Sequence, residues 1–139
     1  MLIVVDTNVL LVSISSKSKY HWFYNLILDS KIQIAFTPEI LIEYEEQISK
    51  HWNPSVALNV IRSLTEIITA KFVLIYYNLG LIIADPDDNK FVDCAFASNA
   101  DYIITNDNHF RVLKNIGFPS IPVLSVDEFR AFMEKEHLT

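Results

Sequence analysis

LIVVDTN, residues 2–8, is the stretch that decides the fold. Residues 2–5 are all apolar and rich in β-branched side chains, with no polar alternation. That run reads as a strand buried on both faces, the kind found in parallel sheets covered by helices on each side. Asp6 follows at once, at the strand's C-terminal end. In an open parallel sheet, ligands bind in the crevice beyond that edge.

Working outward, IQIAF (32–36), YIIT (102–105) and IPVL (121–124) read as further strands, and FVLIYY (72–77) and LIIA (81–84) as weaker ones. Pro122 sends the 121–124 run to a sheet edge, because proline cannot donate to a ladder. Helices fill the intervals. Residues 7–29 are mostly helical with a break near 15–18. Thr37-Pro38 is an N-cap followed by proline at the first helical position, opening a helix to about Lys50 with Ile40, Leu41, Tyr44 and Ile48 inward. Asn53-Pro54 repeats the signal for a helix to about Thr69. Asp88 opens another, with Phe91, Val92, Ala95 and Phe96 as its apolar stripe, and Ser125 with Glu128 forms a capping box for the last. The alternation predicts an α/β/α sandwich, a mainly parallel central sheet flanked by helices, as one domain over residues 1–139.

Composition agrees. The chain has 139 residues, 51% of them hydrophobic, which excludes a disordered chain. Cys94 is the one cysteine, so no internal disulfide framework exists. Gly80 and Gly117 are the only glycines, too few for a phosphate-cradling loop or a dinucleotide fingerprint. The N-terminus lacks the basic start of a signal peptide, and the longest apolar stretch, 72–84, falls short of the ~20 residues that span a bilayer. A cytoplasmic protein with no membrane partner is expected. The formal charge of −6 argues against coating nucleic acid by bulk charge, yet leaves room for a local basic rim.

The acids are placed to meet. Asp6, the DPDD cluster (85–88) and Asp107 each follow an apolar run, so Asp6, Asp88 and Asp107 fall at one sheet edge, and Glu43 can join them from its helix. Each has an ordinary alternative. An Asp after a strand is often only a helix cap. Glu39, Glu43 and Glu46 lie on one helix face, as a solvated acidic stripe would. If they converge, two carboxylates about 4 Å apart repel by about 4 kcal/mol at an effective dielectric of roughly 20. Then either a proton is shared or cations are bound. Ligation by oxygen alone favours Mg²⁺ or Mn²⁺, and such ions held by carboxylates can activate water against a phosphodiester.

Four segments in order carry a resemblance: VVDTNVLL, EILIEYEE, DPDDNKFVDCA and ADYIITND. The chain resembles the PIN-domain ribonucleases, in particular their bacterial and archaeal branch of toxins from toxin–antitoxin pairs, over nearly its whole length. The resemblance implies a metal-dependent endoribonuclease that leaves a 5′-phosphate and a 3′-hydroxyl. It implies Asp6, Glu43, Asp88 and Asp107 as the catalytic carboxylates holding Mg²⁺ or Mn²⁺, with Asp93 as a fifth ligand. Thr7, Asn8 and Thr105 would support them. A small antitoxin and a homodimer are the implied partners besides RNA. Which of Asp85, Asp87 and Asp88 faces the ion is left open by the pattern, and Asp88 is chosen because it begins the helix. Family members commonly carry Gly where this chain has Asn106, a residue that tolerates left-handed backbone.

Other side chains have two readings each. Lys17, Lys19, Lys90, Arg111 and Lys114 are either RNA contacts or solvated charges. His109 is either a substrate contact or a surface loop histidine, and His21, His51 and His137 lack metal spacing. Tyr20, Trp22, Phe23 and Phe110 either stack bases or pack in the core. Two competitors remain. A haloacid-dehalogenase-type phosphatase would need a second Asp two residues after Asp6, where Asn8 stands. An inactive binding module of the same fold would show no stabilisation by Mn²⁺.

Overall fold

The computed structural model describes residues 1–67, 70–75, 78–82, 86–117 and 119–136. Strand β1 (Leu2–Val5) is buried along its length and lies at the centre of a five-stranded sheet. On one side follow β2 (Gln33–Phe36) and β3 (Ala70–Phe72), on the other β4 (Tyr102–Ile104) and β5 (Val123–Leu124), in the order β3-β2-β1-β4-β5. All pairings are parallel, with Val5 opposite Ile104 and Ile34 opposite Ala70. Every strand therefore ends on the same edge. β5 is an edge strand, as expected of the 121–124 run, and the carbonyl of Pro122, just before it, accepts the Ile103 N–H at 2.9 Å.

The helices are α1 (Thr7–Ile14), α2 (His21–Leu28), α3 (Pro38–His51), α4 (Pro54–Glu66), α5 (Asn89–Ser98) and α6 (Val126–Lys135). Their starts follow local chemistry. Thr37 accepts the Ile40 N–H at 3.1 Å and Asn53 the Val56 N–H at 2.9 Å. Ser125 and Glu128 close the capping box, with the Ser125 hydroxyl accepting the Glu128 N–H at 3.1 Å and the Ser125 N–H reaching the Glu128 carboxylate at 3.0 Å. Ser125→Ala should cost about 1 kcal/mol. A shift in the urea midpoint measures it, and an unmoved midpoint would show that the cap contributes nothing.

Two strand expectations fail for non-local reasons. Within FVLIYY only Phe72 belongs to β3, residues 73–75 are not strand, and 76–77 lie outside the described residues. β2 ends where Thr37 turns into α3, so beyond the Val73 N–H on the Phe36 carbonyl no ladder remains to follow. In LIIA, Leu81 and Ile82 are not strand, and 83–84 lie outside the described residues. Backbone N–H groups of this segment go instead to side chains of α5, Leu79 to Asp93 at 2.9 Å and Ile82 to Asn89 at 2.8 Å. Helix α4 stops at Glu66, short of Thr69, and Ile67 is already extended. Asp85 and His137 also lie outside the described residues.

The core joins both sheet faces. Phe23 of α2 meets Phe129 of α6 edge to face, 5.6 Å between ring centroids, and both are fully buried. Helix α5 packs on β1, β2 and β4 and buries Cys94, whose thiol is pushed up to about 12 by burial, helped by neighbouring Asp93. Among the described residues, no helix is long and apolar enough to cross a membrane.

Candidate metal centre

Chain order along the sheet reverses between β1 and β4. From β1 the chain steps outward to β2 and β3, then returns to β4 beside β1 and moves outward to β5. Two neighbouring strands whose connections leave in opposite directions open a crevice at their C-terminal ends. Asp6 and Asp107 both stand at that point.

Asp6 ends β1 and is 5% exposed. Its N–H donates to the Ile104 carbonyl at 3.0 Å, and its carboxylate accepts the Thr105 hydroxyl at 2.8 Å. The same hydroxyl oxygen accepts the Asp107 N–H at 3.0 Å. One threonine thus fixes both acids. Tyr44, fully buried, donates its hydroxyl to the Val5 carbonyl and so ties α3 to the end of β1. That anchor sets Glu43 over the crevice, where its two carboxylate oxygens meet the Thr7 hydroxyl and, at 2.7 Å, the Lys90 ammonium. Glu43 therefore does not belong to a solvated stripe.

The capping alternative divides the aspartates. Asp6 precedes α1 and Asp88 precedes α5, and neither makes a side-chain cap. Asp107 does cap the 3₁₀ helix Asn108–Asn115, accepting the His109 N–H at 2.9 Å. That turn brings the His109 ring back, with Nδ1 3.4 Å from Asp88 and 3.5 Å from Asp107. Ligand atoms of Asp88, Asp107 and His109 lie within 4.8 Å of one another.

Asp6, Thr7, Asn8, Glu43, Gln47, Asp87, Asp88 and Asp107 line a cleft of about 210 Å³. Burial, opposed by the Thr105 hydrogen bond and reinforced by the charges of Asp88, Asp107 and Glu43, raises the Asp6 carboxyl from its usual 3.8 to about 6. A carboxylate pushed up by burial and by other carboxylates is the electrostatic condition a cation relieves. The donor set fits a divalent ion, with one departure from expectation. An imidazole nitrogen borders the oxygens, and nitrogen suits first-row transition ions better than Mg²⁺.

The remaining candidates scatter. Asp93 accepts the Leu79 N–H at 2.9 Å and lines an adjoining cleft with Glu39, Asn78, Gly80, Asp87, Asn89 and Lys90, not the cleft of the four acids. Arg111 and Lys114 line another recess that shares Asp107 with the acidic cleft. Lys17 and Lys19 lie past the far end of α1, which starts at the cleft and runs away from it for eight residues. Lys19 sits over the Tyr20 ring, 5.0 Å from its centroid. Phe23 and Phe110 are fully buried and are core residues, unable to stack bases. Trp22 packs on Phe23 at 5.9 Å beneath Arg130. Positive φ falls on Ser30, Asn99 and Gly80, not on Asn106, whose side chain instead accepts the Val126 N–H at 3.2 Å.

The PIN domain family matches residues 2–109. The chain belongs to the PIN-domain family. Its matched region includes all four of Asp6, Glu43, Asp88 and Asp107. Among solved structures this PIN domain is similar to VapBC2 from Rickettsia felis bound to a DNA fragment from their promoter, with a TM-score of 0.61 and 19% identity. That likeness, one of fold, covers 90% of this chain and 98% of the other. No curated protein matches this PIN domain in sequence.

Proposed function

We propose that this PIN domain is a metal-dependent endoribonuclease and the toxin of a toxin–antitoxin pair, acting in the cytoplasm as one domain over residues 1–139. The observation that carries the nuclease reading is the meeting of Asp6, Glu43, Asp88 and Asp107 in one cleft at the sheet's switch point. The toxin branch, its small antitoxin and a homodimer rest on the motif resemblance.

Asp88, Asp107 and His109 have ligand atoms grouped closely enough to hold the ion, Asp6 would join them from the wall of the same cleft, and Mn²⁺ is preferred to Mg²⁺ on account of the imidazole. When bound, a divalent ion supplies the positive charge that makes water a nucleophile and neutralises the attacked phosphate. The chain's own residues set the geometry. Thr105 orients Asp6 and the Asp107 backbone together, and Thr7 orients Glu43. Asn8, exposed at the mouth, offers an amide to the sugar–phosphate chain. Arg111 and Lys114 provide a short positive flank beside Asp107 for a neighbouring phosphate. A local flank of this kind lets a chain of net charge −6 approach a polyanion.

Purified protein incubated with RNA and Mn²⁺ should generate fragments with 5′-phosphate ends, and chelator should stop it. Release of phosphate from small phosphoesters without RNA cutting would replace this reading with the phosphatase one. Mn²⁺ at a hundred times its dissociation constant should add about 2.7 kcal/mol of stability. An unmoved melting curve would instead mark a binding module.

A further inference from the structure

Lys90 stands where local physics opposes it. It lies in the first turn of α5, an end of the helix where unsatisfied N–H groups repel a cation. Its side chain is only 11% exposed, and a lysine is almost never so buried without a partner. The partner is Glu43, 2.7 Å away, and the charges of Asp87 and Glu39 act on the same ammonium. The other oxygen of Glu43 accepts the Thr7 hydroxyl. Both oxygens of this carboxylate are thus engaged by the chain itself. The atoms grouped closely enough to ligate an ion belong to Asp88, Asp107 and His109; Asp6 and Glu43 are both outside that group, and of these two only Glu43 has an ammonium against its carboxylate. The cleft therefore has two poles, one where Asp88, Asp107 and His109 gather and one closed by an ammonium at Glu43.

We propose that the Lys90 ammonium serves as a built-in cation of the cleft, holding Glu43 in place of a second divalent ion, so that each chain binds one ion. The proposal rests on the metal-dependent reading above and specifies its stoichiometry. A second ion at Glu43 would have to displace Lys90, taking from a largely buried ammonium the carboxylate it pairs with at 2.7 Å. Lys90 is then a positioning residue, acting through Glu43.

Calorimetric titration of the metal-free protein with Mn²⁺ tests this. The unaltered protein should bind one ion per chain. Lys90→Met, close in length but neutral, should release Glu43 and bind two, while Lys90→Arg should still bind one. Adding Glu43→Gln to Lys90→Met should return the count to one. Circular dichroism and melting of each variant check folding, and the count for the unaltered protein stands whether or not a variant folds. Two ions in the unaltered protein, or a single ion in a folded Lys90→Met, overturns the proposal and leaves the nuclease reading intact. No ion in any of the proteins overturns both.

Discussion

Asp6→Asn is expected to abolish RNA cleavage while making the metal-free protein more stable. The loss should exceed the roughly 10–100-fold typical of removing a mere supporting partner of a metal ligand. Stability moves the other way because the folded chain raises the Asp6 carboxyl from 3.8 to about 6, by burial first and then by Asp88, Asp107 and Glu43. A carboxyl with a raised folded-state value binds its proton more tightly when folded, so its ionised form weakens the fold. The penalty is absent below about pH 4, grows as pH rises, and is complete above about pH 6, where it reaches at most about 3 kcal/mol. Asn carries no such penalty, and its amide oxygen can still accept the Thr105 hydroxyl. Urea midpoints should then coincide near pH 4 and separate in favour of Asp6→Asn at pH 7. Saturating Mn²⁺ should shrink or reverse that gap, since only the unaltered site gains from the ion. Asp107→Asn should also end cleavage. RNA cutting that survives both changes would remove the metal role, and equal midpoints at pH 7 would remove the electrostatic account.

Phe23→Ala should cost about 3–5 kcal/mol of a total of about 5–15. The ring is fully buried, stands edge-on to Phe129 at 5.6 Å and to Trp22 at 5.9 Å, and so holds α2 against α6. Its loss opens a cavity that two helices must collapse to fill. A double-mutant cycle with Phe129→Ala should show coupling of about 0.5–1.5 kcal/mol beyond area burial. Phe23 lines no part of the acidic cleft, so the folded fraction of Phe23→Ala should keep its Mn²⁺ count. Denaturation by urea with and without Mn²⁺ separates the two effects. A cost below about 1 kcal/mol would mean the site repacks freely.

Much of the fold is legible in the sequence wherever the signal is local. Residues 2–5 announce a doubly covered strand because burial on both faces demands apolar side chains at every position. Thr37-Pro38, Asn53-Pro54 and Ser125 with Glu128 announce helix starts because a cap is a contact within one turn. What escaped depends on distant pairing. β3 sits at 70–72 because β2 sets its length, and 79–82 turns to α5 for hydrogen bonds. His109 reads as a loop residue until the turn capped by Asp107 is built. Asp93 is a ligand only by what the family resemblance implies, and here its carboxylate accepts the Leu79 N–H. Gln47 was missed although it follows Glu43 by one helical turn, a spacing that puts both at the same cleft. Nothing in the sequence alone revealed that Lys90 reaches across to α3.

The Thr105 hydroxyl that grips Asp6 joins positions 99 residues apart. While a ribosome has released the chain only to Ala100, Asp6, Glu43 and Asp88 already exist, but β4 has not arrived to fix them. The cleft is therefore incomplete until β4 pairs with β1, and a fragment truncated before β4 should lack both Asp107 and the hydroxyl that orients Asp6.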